Sequence, residues 1–235
     1  MSILKALARR AGNQYVRRLC LAESDSQKFT HHNERSIEYR FALNCLAQKR
    51  PKSVLDVGTG TTAWPHLLRN CGFLVTAIDN VRDYWDHDVV NRHWTVLDVD
   101  ITNPGEFHGI FEAVTCISVM EHIADHEKAV HNMLAALAPG GLLIITTPYN
   151  EREHCPNVYK RPDALYGQDL PYICRSHSMK EIEQWQKLGA KLRRRELWAL
   201  FSGPVWATGD RVSWVQALSD DAPHQLGCFE FEKVV

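Results

Sequence analysis

Two glycines and two aspartates in the first half of the chain have the spacing of a nucleoside site. Residues 54–62 read VLDVGTGTT, an apolar run that reaches Asp56 and then turns at Gly58 and Gly60. Glycines at a strand-to-helix turn let the backbone approach a ligand closely, and the next helix offers unpaired amide donors. Asp79 ends the following apolar run, where a carboxylate can accept hydrogen bonds from ribose hydroxyls. These residues predict that a nucleoside binds at the turn.

Two kinds of nucleoside fit this pattern. Residues 58–63, GTGTTA, satisfy the loose G-x-G-x-x-[GA] pattern of dinucleotide sites, so NAD and an oxidoreductase are one candidate. Asp56 favours another ligand, because a carboxylate there repels a pyrophosphate but attracts ammonium and sulfonium groups. S-adenosylmethionine has both groups. The residues favour S-adenosylmethionine and leave NAD open.

The elements that must position these residues alternate between strands and helices. Short apolar runs predict buried strands at 53–57, 73–79, 93–99, 112–118 and 142–148. Helical spacing predicts helices at 33–48, 62–70 and 125–138, the last stopped by Pro139-Gly140-Gly141. A helix from Ser178 to Gly189, a sixth strand at 194–201 and an alternating antiparallel strand in the tail 226–235 complete the pattern. Such alternation predicts an α/β fold with a mostly parallel sheet between two layers of helices.

Composition narrows the class of protein. The chain has 235 residues and a formal net charge of −1, which suits one domain and gives no global attraction to nucleic acid. Its seven cysteines include no C-x-x-C pair, which favours reduced thiols and a cytoplasmic location over a zinc site. No apolar run approaches the roughly 20 residues of a membrane-spanning helix.

Two segments lie outside this pattern. Residues 1–32 form a predicted amphipathic extension, in which residues 1–20 are basic and contact either a membrane surface, the domain itself or a partner subunit. Residues 33–235 form the predicted ligand-binding domain. Within it, residues 149–177 are rich in Pro, Asn and Asp and predict a long loop of the kind that covers a binding site.

The set of motifs resembles the class I S-adenosylmethionine-dependent methyltransferases. The matching stretches, in order, are VLDVGTG (54–60), VTAID (75–79), VLDVDI (96–101), TCISVMEHI (115–123) and LAPGGLLIITTP (137–148). The resemblance implies a three-layer Rossmann-like sheet of order 3-2-1-4-5-7-6 with strand seven antiparallel. Thr62 departs from the family, since many members have a third glycine there.

The resemblance also implies which residues hold the cofactor. They are Asp56, Gly58, Thr59, Gly60, Asp79, Asn80, Asp100, Ile101 and Ser118. In such proteins the glycine turn holds the methionine end, the acid at the end of strand two binds ribose, and the acid after strand three holds adenine. Asp98 competes with Asp100 for the adenine, and Met120 is expected near the reactive methyl group.

Transfer to oxygen also requires a proton acceptor, and histidine has the appropriate pKa. Glu121 and His122 follow the fourth strand and either supply this base or orient the loop and cap the next helix. His177 is a second candidate and His154 a weaker third. The Glu121-His122 pair is similar to part of the magnesium site of ubiquinone-biosynthesis O-methyltransferases. Ser118 replaces the first acid of that site, which disfavours Mg²⁺ unless Asp125 or the substrate completes it, so no metal ligand is assigned.

The sequence therefore predicts an S-adenosylmethionine-dependent methyltransferase that acts on a hydroxyl of a small molecule or a glycan. A weak resemblance of residues 35–60 to methyltransferases of bacterial surface-glycan pathways suggests the glycan. Nucleic acid is disfavoured, because basic residues cluster only near the amino terminus and at 193–195. The alternatives are an NAD-dependent oxidoreductase and a methyltransferase-like module that binds a partner without turnover.

Overall fold

The computed structural model describes residues 3–25, 33–85, 90–105, 107–152, 154–216 and 223–234. Contacts divide the chain into two units, Met1–Ser36 and Ile37–Val235. The first unit contains the helix α1 (Ile3–Asp25), and the second contains the sheet. No helix within the described ranges has the length and apolarity needed to span a bilayer.

Within the described residues, five further α-helices and eight strands follow α1 in the order expected of an α/β fold. The helices are α2 (Arg35–Lys49), α3 (Trp64–Asn70), α4 (Val81–Tyr84), α5 (His126–Ala136) and α6 (Met179–Lys187). The strands in chain order are β1 (Ser53–Val57), β2 (Leu74–Asp79), β3 (Val96–Asp98), β4 (Phe111–Ile117), β5 (Leu137–Pro148), β6 (Ala190–Phe201), β7 (Arg211–Gln216) and β8 (Leu226–Lys233). The described part of the chain therefore contains eight strands.

The strands form one sheet of order β3-β2-β1-β4-β5-β8-β6-β7. Strands β1 to β5 pair in parallel, and β8 lies antiparallel between β5 and β6. The predicted order is thereby confirmed, with β8 in the place of the predicted seventh strand. The difference is β7, an edge strand antiparallel to β6 that the sequence analysis did not predict.

Each face of the sheet packs on its own layer of helices. Neighbouring residues of β1 alternate between the two layers: Leu55 joins the core under α5 and α6, whereas Val54 joins the core under α2 and α3. Leu55 and Val54 are fully buried. The three-layer architecture follows from this alternation, and it places the carboxyl ends of β1, β2 and β4 at one edge.

The boundary between α5 and β5 differs from the prediction. The helix ends at Ala136 rather than at Ala138, because Leu137 is already extended and pairs with Phe111 of β4. Strand β5 therefore begins five residues earlier than the predicted start at residue 142. The Pro-Gly-Gly sequence lies inside this irregular beginning of the strand.

The segment 149–177 is irregular, as predicted, but several of its residues are buried. Val158, Cys174 and His177 are almost fully inaccessible, and Val158–Lys160 forms a short 3₁₀ turn. Backbone bonds attach both ends of the segment to each other, including Val158 N–H to Cys174 O at 2.6 Å. The segment is therefore a packed part of the domain, attached to the carboxyl ends of β4 and β5.

Candidate functional site

The turn after β1 has a backbone conformation that favours glycine. Gly58 and Gly60 have φ of +72° and +56°, a region that disfavours residues with a Cβ atom. A Cβ on Gly58 would lie 2.4 Å from the Val119 methyl carbons, whereas a Cβ on Gly60 would meet no atom within 4 Å. The turn is thus packed tightly on one side against the loop after β4 and is open at Gly60.

Asp79 lies directly beside this turn. Its Oδ2 accepts a hydrogen bond from the Gly60 backbone N–H at 2.6 Å, so the two positions predicted for the nucleoside are in contact. Burial raises the pKa of Asp79, and hydrogen bonds from Gly60, Asn80 and the Trp85 side chain partly oppose that rise. The carboxylate is consequently held in place by protein donors, of which Trp85 was not predicted.

Asp56 is buried beneath the turn. One of its oxygens accepts the Thr59 hydroxyl at 2.6 Å, and the other accepts the Thr115 hydroxyl of β4 at 2.8 Å. Thr115 in turn accepts the Trp64 indole N–H at 3.4 Å. Thr59, a predicted cofactor residue, therefore faces inward in this structure and fixes the acid below the turn.

A third buried carboxylate belongs to Glu38 of α2. Its Oε1 accepts the hydroxyl groups of Ser118 at 2.5 Å and of Thr146 at 2.6 Å. Ser118 has φ of +50°, which is unusual for a residue with a side chain and aims this hydroxyl at Glu38. The predicted cofactor residue Ser118 is thus tied to α2, and Met120 two residues on is fully buried in the core.

The residues predicted for adenine follow β3. Asp98 forms an ion pair with Arg82 at 2.5 Å, which leaves Asp100 as the better candidate of the two. Asp100 is exposed and accepts the Thr102 backbone N–H at 2.7 Å, and Ile101 is buried. The turn that follows β3 is therefore built around Asp100.

Asn91 is a polar residue of the site that the sequence reading did not single out. Its side-chain amide donates to Gly60 O at 2.8 Å and Thr62 O at 3.0 Å. It also lines a cavity of about 600 Å³ over β2 and β3, together with Arg92, His93 and Trp94. Asn91 thus connects the glycine turn to an open space beside the sheet.

The carboxylates near the turn fit a nucleoside that carries positive charge. Three carboxylates lie at the ends of neighbouring elements. Asp56 is near the carboxyl end of β1, Asp79 is at the carboxyl end of β2, and Glu38 is in the amino-terminal part of α2. Such groups repel a pyrophosphate and attract an ammonium or sulfonium group. Because Gly60 has no side chain and the space beside it is open, a ligand can approach the backbone there closely. These residues fit S-adenosylmethionine better than NAD.

Glu121 and His122 lie beyond β4, in the 3₁₀ turn Met120–His122. The chain is extended at Ile123 and α5 begins only at His126, so His122 and His126 do not share a helix face as they would if the helix began earlier. His122 Nδ1 lies 2.6 Å from Ile173 O, and its Nε2 lies 3.9 Å from Glu121 Oε1. The His122 side chain is 31% exposed, whereas that of Glu121 is 5% exposed. His122 is accessible and Glu121 supports it from within.

The cap of α5 is neither Glu121 nor His122. Asp125 accepts the Lys128 backbone N–H at 3.2 Å and caps the helix. The alternative in which Glu121 and His122 cap α5 is therefore wrong. Among the described residues, no group of three or more His, Cys, Asp or Glu side chains is arranged to hold a metal ion.

His177 is fully buried, between His126 and Trp185. Its Nδ1 lies 3.1 Å from Thr147 Oγ1, and that hydroxyl lies 3.4 Å from Glu121 Oε2. Burial, and then the nearby His126, lower the pKa of His177 well below its usual value, so the ring is neutral. Thr147 thus links the buried His177 by hydrogen bonds to Glu121.

Segment 149–177 covers the Glu121-His122 turn. The Arg175 backbone N–H donates to Glu121 O at 2.9 Å, and its guanidinium donates to Ile123 O at 3.0 Å. The ring of Tyr172 packs edge-on against His122 with centroids 4.8 Å apart. Arg175 was not predicted, and it attaches the loop to the candidate base. His154, the third candidate, instead lies 3.4 Å from Glu181.

The comparisons with known proteins agree with this geometry. A family model described as a methyltransferase domain matches residues 29–197. Ubiquinone biosynthesis O-methyltransferase from Coxiella burnetii (strain Dugway 5J108-111) is 27% identical over 103 residues, covering 41% of this chain and 43% of the relative. Glycine N-methyltransferase from Oryctolagus cuniculus is 29% identical over 137 residues, covering 47% of this chain and 46% of the relative.

A solved structure extends the likeness to the whole fold. It is Burkholderia thailandensis 1,6-didemethyltoxoflavin-N1-methyltransferase with bound 1,6-didemethyltoxoflavin and S-adenosylhomocysteine. The TM-score is 0.59 at 13% identity, over 100% of this chain and 92% of that one. The chain spans less than half the length of the two curated relatives, whose names refer to oxygen in one and nitrogen in the other.

Proposed function

This chain belongs to the methyltransferase-domain family, the class I S-adenosylmethionine-dependent methyltransferases, and on that premise we propose that it methylates a hydroxyl group of a small molecule or a glycan. The family assignment favours S-adenosylmethionine over the NAD that the glycine pattern left open. The single observation that supports oxygen as the acceptor is the accessible imidazole of His122 beside the buried carboxylate of Glu121.

The cofactor-binding part of the proposal rests on the residues around the glycine turn. S-adenosylmethionine, when bound, supplies a methyl group on a sulfonium, which is already activated for transfer. Asp79 would hold the ribose hydroxyls, Asp56 and Glu38 would favour the positive charge, and Asp100 with Ile101 would hold the adenine. The protein then needs mainly to align the acceptor and exclude water.

The proton acceptor in this proposal is His122 Nε2. Because a carbonyl oxygen can only accept a hydrogen bond, the Nδ1 atom 2.6 Å from Ile173 O must bear the proton. Nε2 of the neutral ring is then the basic atom. His122 Nε2 would take the proton of the acceptor hydroxyl, and the Glu121 carboxylate 3.9 Å away would stabilise the resulting imidazolium.

Thr147 and His177 act as positioning residues in this proposal. A carboxylate accepts only, so the Thr147 hydroxyl donates to Glu121 Oε2 and must itself accept from His177 Nδ1–H. This order of donors fixes the Glu121 side chain beside His122. His177 therefore contributes without touching the substrate, which is consistent with its burial.

The surroundings of His122 favour a planar or apolar acceptor face. Tyr172 packs on His122, and Tyr159 lies 6.2 Å from both Tyr172 and Tyr166, measured between ring centroids. Tyr166 and the neighbouring Leu165 are exposed. Aromatic rings of this kind stack on phenols and on the apolar faces of sugars.

The test is transfer of a labelled methyl group to a panel of phenols, sugars and amines, with the product analysed for an ether or an amine. We expect ether products and a loss of about 10²- to 10⁴-fold in kcat/KM for His122→Gln. His154→Gln is the matched control and should keep the activity. Amine products from both proteins would refute O-methylation. Cofactor binding without turnover on any acceptor, together with a tightly bound partner, would instead support the non-catalytic module.

A further inference from the structure

The amino-terminal helix α1 presents an apolar stripe that is not buried. Leu4 is 78% exposed, Leu7 58% and Tyr15 65%, and these residues recur with Ala11 at intervals of three or four positions. Residues with this spacing lie on one face of a helix. A 23-residue helix is about 35 Å long, so the stripe is an extended strip rather than a local patch.

The charge on α1 has one sign over most of its length. Acidic residues enter only at Glu23 and Asp25, near the end of the helix. The basic residues before them are Lys5, Arg9, Arg10, Arg17 and Arg18. Lys5 and Arg9 lie on the side opposite Leu7 and Ala11, and Arg10 and Arg17 flank the stripe. Arg18 falls within the stripe, where a long side chain can keep its charged end in water.

We propose that α1 binds in the plane of a bilayer surface that contains anionic phospholipids. Arg10, Arg17 and Arg18, which flank the stripe or lie within it, would contact lipid headgroups while Leu4, Leu7 and Tyr15 enter the boundary with the acyl chains. Lys5 and Arg9 would face the water and add to the attraction towards the negative surface. Five basic residues between positions 5 and 18, with no acidic residue among them, match a surface of uniform negative potential along the length of the helix. This function is independent of the methyl transfer proposed above, since it uses no residue of that site.

The experiment is co-sedimentation of the full-length protein with vesicles. Vesicles of phosphatidylcholine alone are compared with vesicles in which about a third of the lipid is phosphatidylglycerol. We expect at least about 10-fold stronger binding to the anionic vesicles, decreasing as salt is raised through the range where the Debye length shrinks below about 10 Å. Equal binding to both vesicles, or binding that salt does not change, would overturn the electrostatic part of the proposal.

Variants assign the binding to the two faces of α1. Leu7→Asp should abolish vesicle binding by placing a charge in the apolar stripe, and Arg9→Gln with Arg10→Gln should weaken it and reduce its salt dependence. Ile110→Asp is the matched control, since Ile110 is as exposed as Leu7 but lies outside α1. Retained binding by Leu7→Asp would contradict the proposal. So would a dimer in light scattering that Leu7→Asp dissolves while neither vesicle binds, because the stripe would then pack on a second copy.

Discussion

Substituting alanine for the two glycines of the turn after β1 separates backbone strain from steric contact. Both glycines have positive φ, +72° at Gly58 and +56° at Gly60, and an L-residue there costs about 1–2 kcal/mol. A Cβ on Gly60 meets nothing within 4 Å, so Gly60→Ala should lose only that amount. A Cβ on Gly58 lies 2.4 Å from Val119 Cγ1 and Cγ2, far inside the roughly 3.5–4.0 Å of carbon–carbon contact.

Relief of that contact requires Val119 to move, and overpacking of this kind adds about 1–3 kcal/mol. Gly58→Ala should therefore destabilise the protein by about 2–5 kcal/mol, against about 1–2 kcal/mol for Gly60→Ala. Urea unfolding followed by circular dichroism measures both values.

The double variant Gly58→Ala with Val119→Ala tests the source of the difference. Val119→Ala removes both methyl carbons, so it should recover the contact part of the loss while the φ part remains. The same Val119→Ala change should give no recovery in Gly60→Ala. Equal losses for the two single variants, or a double-mutant coupling near zero, would refute the packing of Gly58 on Val119.

Three further outcomes follow from buried polar groups. Asp79→Asn should weaken binding of S-adenosylhomocysteine by about 10- to 100-fold in calorimetry. Because burial raises the pKa of Asp79, wild-type affinity should also fall as the pH is lowered, starting at a higher pH than for an exposed aspartate. The affinity of the variant should not follow that titration. The pKa of His177 is held below its unfolded value of about 6.5, so its contribution to stability is fully present above about pH 6.5 and is lost as the pH falls from there towards the folded-state pKa, by at most about 1.4 kcal/mol per pH unit. The non-titrating His177→Asn should flatten that slope in urea unfolding at pH 7, 6 and 5. An unchanged slope would exclude His177 as the cause. Glu38→Ala should destabilise the protein by about 2–5 kcal/mol, because the hydroxyl groups of Ser118 and Thr146 lose their acceptor. Glu38→Gln keeps an oxygen in that place and should lose less stability. Equal losses of stability would contradict the assignment of Glu38 as the acceptor of both hydroxyls.

The order of strands was predictable because their apolar runs are short and separated by recognisable helices. β1 and β2 are each followed by a turn and a helix, and such units fold into a parallel sheet with few alternatives. β7 was not predicted because the connection between β6 and β7 begins with Ser202-Gly203-Pro204, which indicates a loop. The pairing of β7 with β6 is also interrupted between Ala199 and Phe201. An edge strand of this kind depends on a partner that its own residues do not reveal.

The acids and glycines of the site were predictable from their spacing, whereas the residues that hold them were not. Gly60 and Asp79 follow adjacent parallel strands, and the structure brings them within 2.6 Å. Asn91, Trp85 and Arg175 reach the site from segments without periodicity, through contacts that only the folded chain creates. For Asn91, a buried amide that donates twice to the turn, no local pattern distinguishes it from a loop asparagine.

Calorimetric titration of the purified chain with S-adenosylhomocysteine and, separately, with NAD tests the central claim most directly. Asp56 and Asp79 beside the glycine turn, with Glu38 of α2, predict binding of S-adenosylhomocysteine in the micromolar range, about −8 kcal/mol, and no heat from NAD. Binding of NAD alone, or of neither nucleoside by a folded protein, would contradict the assignment of the turn to S-adenosylmethionine.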